Sequence, residues 1–421
     1  MLDRRFIREH PEEVRAAARA KRVGLDLDRL LELDTRDDDL NREEQELNRE
    51  SNEVSKRTGK ASPEERQALI ERGRAIRARV GAIKELREAL DEELRALLLR
   101  VPNIPDPSVP EGADESENVE VGRWGEPPGF DVAPLDHVAL MERLGILDLE
   151  RGAKVAGSRS YILKGAGALL EMALTRFAID RLVAKGFTPL IVPALSREMA
   201  LVGTGWFPTL RDQTYELRDE ELFLAGTAEV AMTGMHEGEI LPFEELPMRY
   251  VALSPCFRRE AGSYGRDVKG IIRVHQFTKV EQFIIAPADT AASLHMLEAL
   301  LVNSEELLRA LEIPYRVMLL CTGDMGAGKV KAYDIESWVP SENTYRETHS
   351  DSFLGDWQAR RVNLRYRGED GKVRFAHTLN NTALASPRIM VPLLENHQQA
   401  DGSVRVPAAL RPYLGMDLIS R

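Results

Sequence analysis

Along the first hundred residues, apolar positions recur at every seventh residue. Leu33, Leu40, Leu47 and Val54 form one such row. After a break at Thr58-Gly59-Lys60-Ala61-Ser62-Pro63, Leu69, Ile76, Ile83, Leu90 and Leu97 form a second, joined by Val80, Leu86 and Leu94. This period predicts two helices folded back as an antiparallel coiled-coil hairpin. Ser62 and Pro63 suit the cap and first turn of the second helix. As a helix, residues 27 to 57 would span roughly 45 Å. Asp37, Glu44 and Ser51 stand where a second apolar row should run, so the hairpin is expected to have one thin seam. Upstream, Pro11 can open a short helix running toward Lys21, with Gly24 as its stop.

The pattern then changes. Pro102, Pro105, Pro107 and Pro110 end the helix, and the acidic stretch Glu111 to Glu120 continues a linker. The expected organisation is an N-terminal helical domain over residues 1–101 with its hairpin at about 27–100, a linker over 102–120, and a larger domain over 121–421. In the larger domain Gly167 to Lys185 reads as an amphipathic helix using Leu169, Leu170, Ala173 and Phe177, stopped by Gly186. Strand-like runs follow at 187–192 (ended by Pro193), 222–225, 250–258, 271–286, 317–320, 333–339 and 373–380. A further helix is expected from Ser386-Pro387-Arg388, with Pro392 inside it at a cost of about 3 kcal/mol. Strands and helices do not alternate regularly, so the expected class is α+β, an antiparallel sheet with helices laid on it.

Composition narrows the setting. The 421 residues are enough for two or three domains, and 43% apolar content is ordinary for a globular chain. A net charge of -12 argues against an all-over basic coat but leaves local basic patches open. Two cysteines, Cys256 and Cys321, cannot build a disulfide framework or a Cys-rich zinc site. The charged start lacks the apolar core of a signal peptide, and no apolar run approaches the ~20 residues of a membrane span. The expectation is a cytoplasmic protein.

The densest chemistry lies between Phe257 and Glu281. On an extended strand Arg273, His275, Phe277 and Glu281 share one face, with Val274 and Val280 on the other. Cations, a ring and a carboxylate on one surface suit an anionic ligand with a planar base: arginine for phosphate oxygens, phenylalanine for stacking. The connecting loop, about a dozen residues, is longer than ordinary hairpin loops, which favours a functional reading.

These segments, in this order, resemble class II aminoacyl-tRNA synthetases, and within them the bacterial type of seryl-tRNA synthetase. The helix, Gly186, strand and Pro193 are similar to the family's first motif, at its dimer interface. Phe257-Arg258-x-Glu260 through Arg273-x-x-x-Phe277 is similar to the second. Asn380-Asn381-Thr382-Ala383-Leu384-Ala385-Ser386-Pro387-Arg388 is similar to the third, with alanines and Ser386-Pro387 replacing most of its glycines. Thr227-Ala228-Glu229 after Gly226, His275-Gln276-Phe277-x-Lys279-Val280-Glu281 and the long hairpin point to serine.

The resemblance implies ATP as substrate, Mg²⁺, L-serine, tRNA(Ser) and also tRNA(Sec), and a homodimer. It implies that Arg258 clamps the α-phosphate and the serine carboxylate, that Glu260 faces the adenine, and that Arg273 meets the γ-phosphate. Phe277 would stack on adenine with Arg388 on the other side as a cation–π partner. Arg259, Val274, Thr348 and His349 complete the implied ATP site, and Glu347 and Ser350 are the implied magnesium ligands. Asp334 and Glu336 could support them or be structural. Thr227, Ala228, Glu229, Arg258, Glu281, Asn380 and Thr382 are the implied serine pocket, with Glu281 and Thr382 for the hydroxyl. Lys56, Arg57, Lys60 and Arg66, near the hairpin tip, are the implied tRNA contacts.

Plainer readings stand beside these. Arg258 and Glu260 could be a surface ion pair, Phe277 a core ring, Arg273 a solvated strand charge, and Thr227 an ordinary helix cap. Gly323-Asp324-Met325-Gly326-Ala327-Gly328-Lys329 has the spacing of a phosphate-binding P-loop, but Val330 follows where a hydroxyl is needed. The rival functions are thus a P-loop NTPase with a coiled-coil arm, a non-catalytic RNA-binding relative, and an amino acid–carrier protein ligase.

Overall fold

The computed structural model describes residues 1–261 and 270–421. Much of the long loop singled out above (residues 262–269) lies outside the described residues. The chain forms two compact units, Met1–Pro102 and Asn103–Arg421.

The first unit is helical: α1 (Arg4–Glu9), α2 (Pro11–Ala20), α3 (Leu27–Thr58) and α4 (Pro63–Arg100). Ser62 caps α4 in a reciprocal box with Glu65, and Pro63 takes the first turn, as the sequence predicted. The seam between α3 and α4 buries Leu33, Leu40 and Val54 against Ile76, Ile83 and Leu94. Gly73 leaves space beside Val54, whose methyl lies 3.9 Å from where a Cβ would stand. Leu86 is a departure from the pattern: it is 42% exposed and adds nothing to the seam.

The missing second apolar row is filled with ion pairs. Arg87 bridges Asp37 (2.9 Å) and Glu44 (3.1 Å), and Arg79–Glu43 and Arg72–Glu50 repeat the arrangement toward the tip. Exposed pairs contribute about 0.2–1 kcal/mol each, against about 1.5–3 for each buried leucine or isoleucine. The thin seam therefore supplies most of the adhesion, and the ion pairs fix the register.

The second unit is built on one eight-stranded sheet. Its strands are β1 (Val119–Trp124), β2 (Thr188–Ile191), β3 (Met248–Phe257), β4 (Gln276–Ala286), β5 (Tyr315–Leu319), β6 (Lys331–Val339), β7 (Thr344–Gly355) and β8 (His377–Ser386). The spatial order is β1-β5-β6-β7-β8-β4-β3-β2. Every pairing is antiparallel except edge strand β2, which runs parallel to β3.

Helices α5 (Ala166–Ala184) and α7 (Thr290–Ala310) cover one face; α6 (Ala228–Gly234) and α8 (Trp357–Val362) belong to the other. Alternation along β4 divides the core accordingly. Val280 and Ile284 pack with Leu170, Phe177, Leu300 and Leu307, while Phe283 and Ile285 pack with Met232, Ala359 and Val362. Glu281 is on the second side, which is where the chemistry collects. The Pro-rich segment is bonded into this unit: the amides of Asn103 and Asp106 donate to Ala327 (2.8 Å) and Val330 (2.9 Å).

Four expectations are corrected. Residues 271–275 are irregular, and β4 begins only at Gln276, so strand alternation does not place Arg273. The run at 373–380 divides into a short strand, Val373–Phe375, in a separate small sheet, and β8. Leu169 is 49% exposed rather than buried beside Leu170. The helix after the third motif, α9 (Met390–His397), starts later than Ser386-Pro387, so Pro392 is its third residue. An amide there has no intrahelical partner to lose, and the expected cost disappears.

Candidate active site

Arg258 leaves the end of β3. Its amide donates to the His275 carbonyl (3.0 Å), and His275 Nδ1 donates to the Arg258 carbonyl (3.1 Å). This clasp closes the base of the long loop. The guanidinium carbon stands 5.3 Å from the Phe277 ring centre and 5.5 Å from that of Trp206, and Nε donates to the Gly226 carbonyl (3.4 Å). A Cβ on Gly226 would come within 2.7 Å of the Trp206 ring, so only glycine lets the ring lie there. Trp206 was missed by sequence reasoning; the one signal was a tryptophan in the turn-rich Gly203-Thr204-Gly205-Trp206.

Glu260 takes a positive φ of 53° and pairs with Arg273 at 2.7 Å. The Arg258–Glu260 surface pair weighed above is therefore replaced by a Glu260–Arg273 pair, leaving the Arg258 guanidinium to its aromatic cradle. Phe277 is half-buried on the site face. Arg388 is tied down at β8's end, donating to the carbonyls of Ile272 (3.2 Å) and Glu347 (3.3 Å), with the Glu347 carboxylate 3.6 Å away. Arg259 is exposed, and Val274 is buried.

Strand β7 carries Glu347 and Ser350 with a bulge between them, so that Ser350 stands opposite Asp334 and Glu347 opposite Glu336. Asp334 Oδ1 is buried without a hydrogen-bond partner. Burial and the neighbouring Glu347 carboxylate push the Asp334 carboxyl up to about 7. Glu336 is engaged elsewhere, with Arg316 at 2.6 Å. Thr348 and His349 are both buried. Thr348 Oγ1 lies 2.8 Å from Ser337 Oγ, and burial holds the His349 imidazole at about 4, so it is neutral near pH 7. Their side chains brace the strand from within, and only Glu347 and Ser350 of the four open to the site.

Beside Arg258 lies a buried cluster of polar groups with two carboxylates, Glu229 and Glu281. Thr227 caps α6, its Oγ1 accepting the Glu229 amide (3.2 Å). The cap reading weighed above is thus correct, and the same hydroxyl also accepts from Lys279 Nζ at 2.7 Å. Lys279 ion-pairs with Glu281 two residues along the same strand face. The Glu229 carboxylate accepts from Gln358 (2.6 Å) and Asn380 (2.9 Å). Burial, then repulsion from Glu281, raises the Glu229 carboxyl above its ordinary range. Thr382 is Glu281's cross-strand partner on β8. Ala228 is buried in the core with Met232 and Phe283. Gln358 enters the cluster unannounced by the sequence, and Lys279, named above only within the serine signature, enters it through its own contacts. Lys279 was legible, since its i, i+2 spacing to Glu281 puts both on one strand face.

The P-loop reading fails on topology. The Gly323–Lys329 stretch runs into strand β6, whereas a P-loop must open a helix. Gly328 packs against the Trp357 ring, where a Cβ would meet it at 2.7 Å. Lys329 nonetheless belongs to the neighbourhood, because its charge partly offsets the rise that burial imposes on the Glu229, Asp334 and Asp351 carboxyls.

A largely antiparallel sheet flanked by helices, with one arginine leaving the end of β3 and another the end of β8, defines the catalytic core of a class II aminoacyl-tRNA synthetase. Residues 213–397 match the class II core domain (G, H, P, S and T) of tRNA synthetases, and residues 1–105 match the seryl-tRNA synthetase N-terminal domain. The chain is 57% identical to a serine–tRNA ligase of Deinococcus radiodurans, over 99% of this chain and 98% of that one. It is 46% identical to a serine–tRNA ligase of Thermobifida fusca, over 100% and 99%. Among solved structures, the ATP complex of seryl-tRNA synthetase from Pyrococcus horikoshii superposes with a TM-score of 0.93 at 41% identity, over 100% of this chain and 99% of that one. The AMP complex of the cytoplasmic serine–tRNA ligase from Naegleria fowleri gives 0.87 at 29%, with the same coverage. The chain belongs to the seryl-tRNA synthetase family.

Proposed function

We propose that this chain joins L-serine to ATP as seryl-adenylate with release of pyrophosphate, then transfers the seryl group to tRNA(Ser), and to tRNA(Sec) where one exists. The observation that carries this reading is the juxtaposition of an arginine held between two aromatic rings with a buried pocket containing Thr227, Glu229, Lys279 and Glu281. The serine carboxylate is ionised near neutral pH, so attack on the α-phosphorus needs no protein base. What the reaction needs is alignment and neutralisation of two anions. Arg258 supplies both, because its planar fork can bind a carboxylate and a phosphate oxygen together.

The remaining assignments follow the same geometry. Glu260, Arg273, Arg259 and Val274 take the ATP side, with adenine between Phe277 and Arg388. Glu229 and Asn380 receive the ammonium, and Glu281 and Thr382 the hydroxyl. Alanine then leaves buried polar groups unpaired, which discriminates strongly; threonine's extra methyl is worth only about 1–3 kcal/mol and must be excluded by room.

The Mg²⁺ that accompanies ATP fits Glu347, Ser350 and Asp334. Their oxygens suit a hard cation, and the unpartnered Asp334 Oδ1 beside a second carboxylate marks a place where positive charge is wanted. When bound, it would neutralise phosphate charge; the protein residues orient the phosphates around it.

We place the chain in the cytoplasm; no described helix is long and apolar enough to cross a membrane. We also propose a homodimer through α5 and edge strand β2, where Ile191 (92% exposed), Met172 (65%) and Leu169 (49%) leave apolar surface uncovered. Ile191→Asp is expected to shift the mass measured by light scattering from dimer to monomer; an unchanged mass for a folded variant rejects this face.

The reading as a whole is tested by ATP–pyrophosphate exchange with each of the twenty amino acids. Serine alone is expected to support rapid exchange, and comparable exchange with another amino acid would refute the assignment. Because the Glu229 carboxyl is raised, it protonates at a higher pH than a free glutamate and then cannot hold an ammonium. kcat/KM for serine should therefore fall on acidification, beginning above the ordinary carboxylate range. Glu229→Gln should show weaker serine use with that limb flattened.

A further inference from the structure

Lys279 lines the proposed serine pocket but has been given no ligand to hold, yet it is among the most constrained polar groups in the site. It is 5% exposed, its ammonium donates to Thr227 Oγ1 at 2.7 Å, and it ion-pairs with Glu281. Glu281 is 1% exposed and Thr227 3%. A buried charge survives only when paired and hydrogen-bonded, and here both conditions are met within one pocket.

The consequences for the two partners differ. Thr227 Oγ1 accepts from Lys279 and from the Glu229 amide (3.2 Å), which uses both of its lone pairs. Its own proton is therefore committed to donation, toward whatever oxygen enters the pocket. Glu281 is held against a cation on the face it shares with Phe277, with Thr382 across the strand pair. The pocket contains two carboxylates, Glu229 and Glu281, and one ammonium, Lys279.

We infer that Lys279 is a specificity-determining positioning residue, which fixes Glu281 as an acceptor for the substrate hydroxyl and Thr227 as a donor to a substrate oxygen. The inference rests on the proposed serine pocket and adds a residue to it. Lys279 acts through its two partners and does not touch the reacting atoms.

Lys279 also acts on Glu229. The groups facing Glu229 are Glu281 and Lys279 from β4, Lys329 from the segment before β6, Gln358 from α8 and Asn380 from β8. Burial and Glu281 raise its carboxyl, while Gln358, Lys279 and Lys329 lower it. Removal of the Lys279 charge leaves the raising influences less opposed, so Glu229 would stay protonated to higher pH.

The test compares Lys279→Met, Lys279→Gln and Lys279→Arg with the parent enzyme in ATP–pyrophosphate exchange, with serine and with alanine, from pH 6 to 9. Parent exchange with serine controls the underlying assignment: if it is absent, the functional reading fails, whatever the variants do. In Lys279→Met, kcat/KM for serine should fall by about 10²-fold, the scale of a lost charged hydrogen bond in a buried site. It should fall mainly through KM for serine, with KM for ATP unchanged. Exchange with alanine should change far less, so the serine-to-alanine ratio collapses. The variant's kcat/KM for serine should also rise with pH over a range where the parent's is flat.

Lys279→Gln keeps a donor for Thr227 but not the charge, and should lose discrimination as Lys279→Met does. Lys279→Arg should restore much of it. Equal losses for serine and alanine with the parent pH profile in any folded variant would overturn the inference, as would full discrimination in Lys279→Gln. If Lys279→Met does not fold, the glutamine and arginine variants decide between these outcomes.

Discussion

Arg258→Ala should lower serine-dependent ATP–pyrophosphate exchange by about 10³-fold or more, in an enzyme that remains folded. Deleting a single preorganised donor to developing charge typically costs about 10²–10³ in rate. Arg258 is assigned two tasks, neutralising the phosphate and aligning the carboxylate, so the loss should lie at or beyond the upper end. Its orientation is prepaid: the guanidinium is held between Phe277 and Trp206, and Nε is tied to the Gly226 carbonyl. Arg258→Lys should remain close to the alanine variant. A point charge on a flexible stem can copy neither the planar fork nor the stacking between rings. The fold should tolerate both changes, because what is lost structurally is a cation–π contact of about 0.5–2 kcal/mol within a large unit. Exchange within tenfold of the parent in Arg258→Ala would sink the assignment.

How much of this was readable beforehand depended on whether a residue's role leaves a periodic trace. The hairpin did, because Leu33, Leu40, Ile76 and Ile83 repeat with the heptad and Ser62-Pro63 marks its turn. The Arg87 bridges to Asp37 and Glu44 were visible only as a gap in the apolar row. The longest strand of the sheet, Thr344–Gly355, showed no alternation, since it is buried on both sides and many of its buried positions hold polar groups, Thr348, His349, Asp351 and Ser352.

Those groups depend on partners far away in sequence, such as Ser337 for Thr348 and the Ala383 carbonyl for His349. Long-range pairing of this kind leaves no local pattern. The same limit hid Trp206, which meets Arg258 only after the chain has folded. It also hid the irregular path at 271–275, which brings Arg273 to Glu260 where strand alternation would have placed it differently.

The Lys56→Glu/Arg57→Glu/Lys60→Glu variant should retain serine-dependent exchange while tRNA(Ser) charging falls by about 10²-fold or more. All three cations are exposed, and together with Glu65 and Leu69 they line a concavity of ≈ 550 Å³ at the turn between α3 and α4. Arg66 follows within the first turns of α4. Affinity for an RNA backbone comes chiefly from such cations, and each lost phosphate contact lowers the salt slope of binding by about 0.7–0.9. Three reversals should therefore flatten the dependence of tRNA affinity on salt as well as weaken it. Shape and backbone recognition also predicts that changing paired bases in the bound RNA helix matters less than changing its length.

Deletion of residues 27–100 should give the same division in stronger form, because the proposal assigns RNA and not serine to the arm. That deletion uncovers Ile7 and Val14, which are fully buried in the parent, so charge reversal is the cleaner experiment. Normal charging by the reversed variant, or exchange that collapses along with charging in a folded one, would mean that RNA is gripped elsewhere. Separate losses would show that serine chemistry and RNA recognition are distributed over the two compact units of the chain, Met1–Pro102 and Asn103–Arg421.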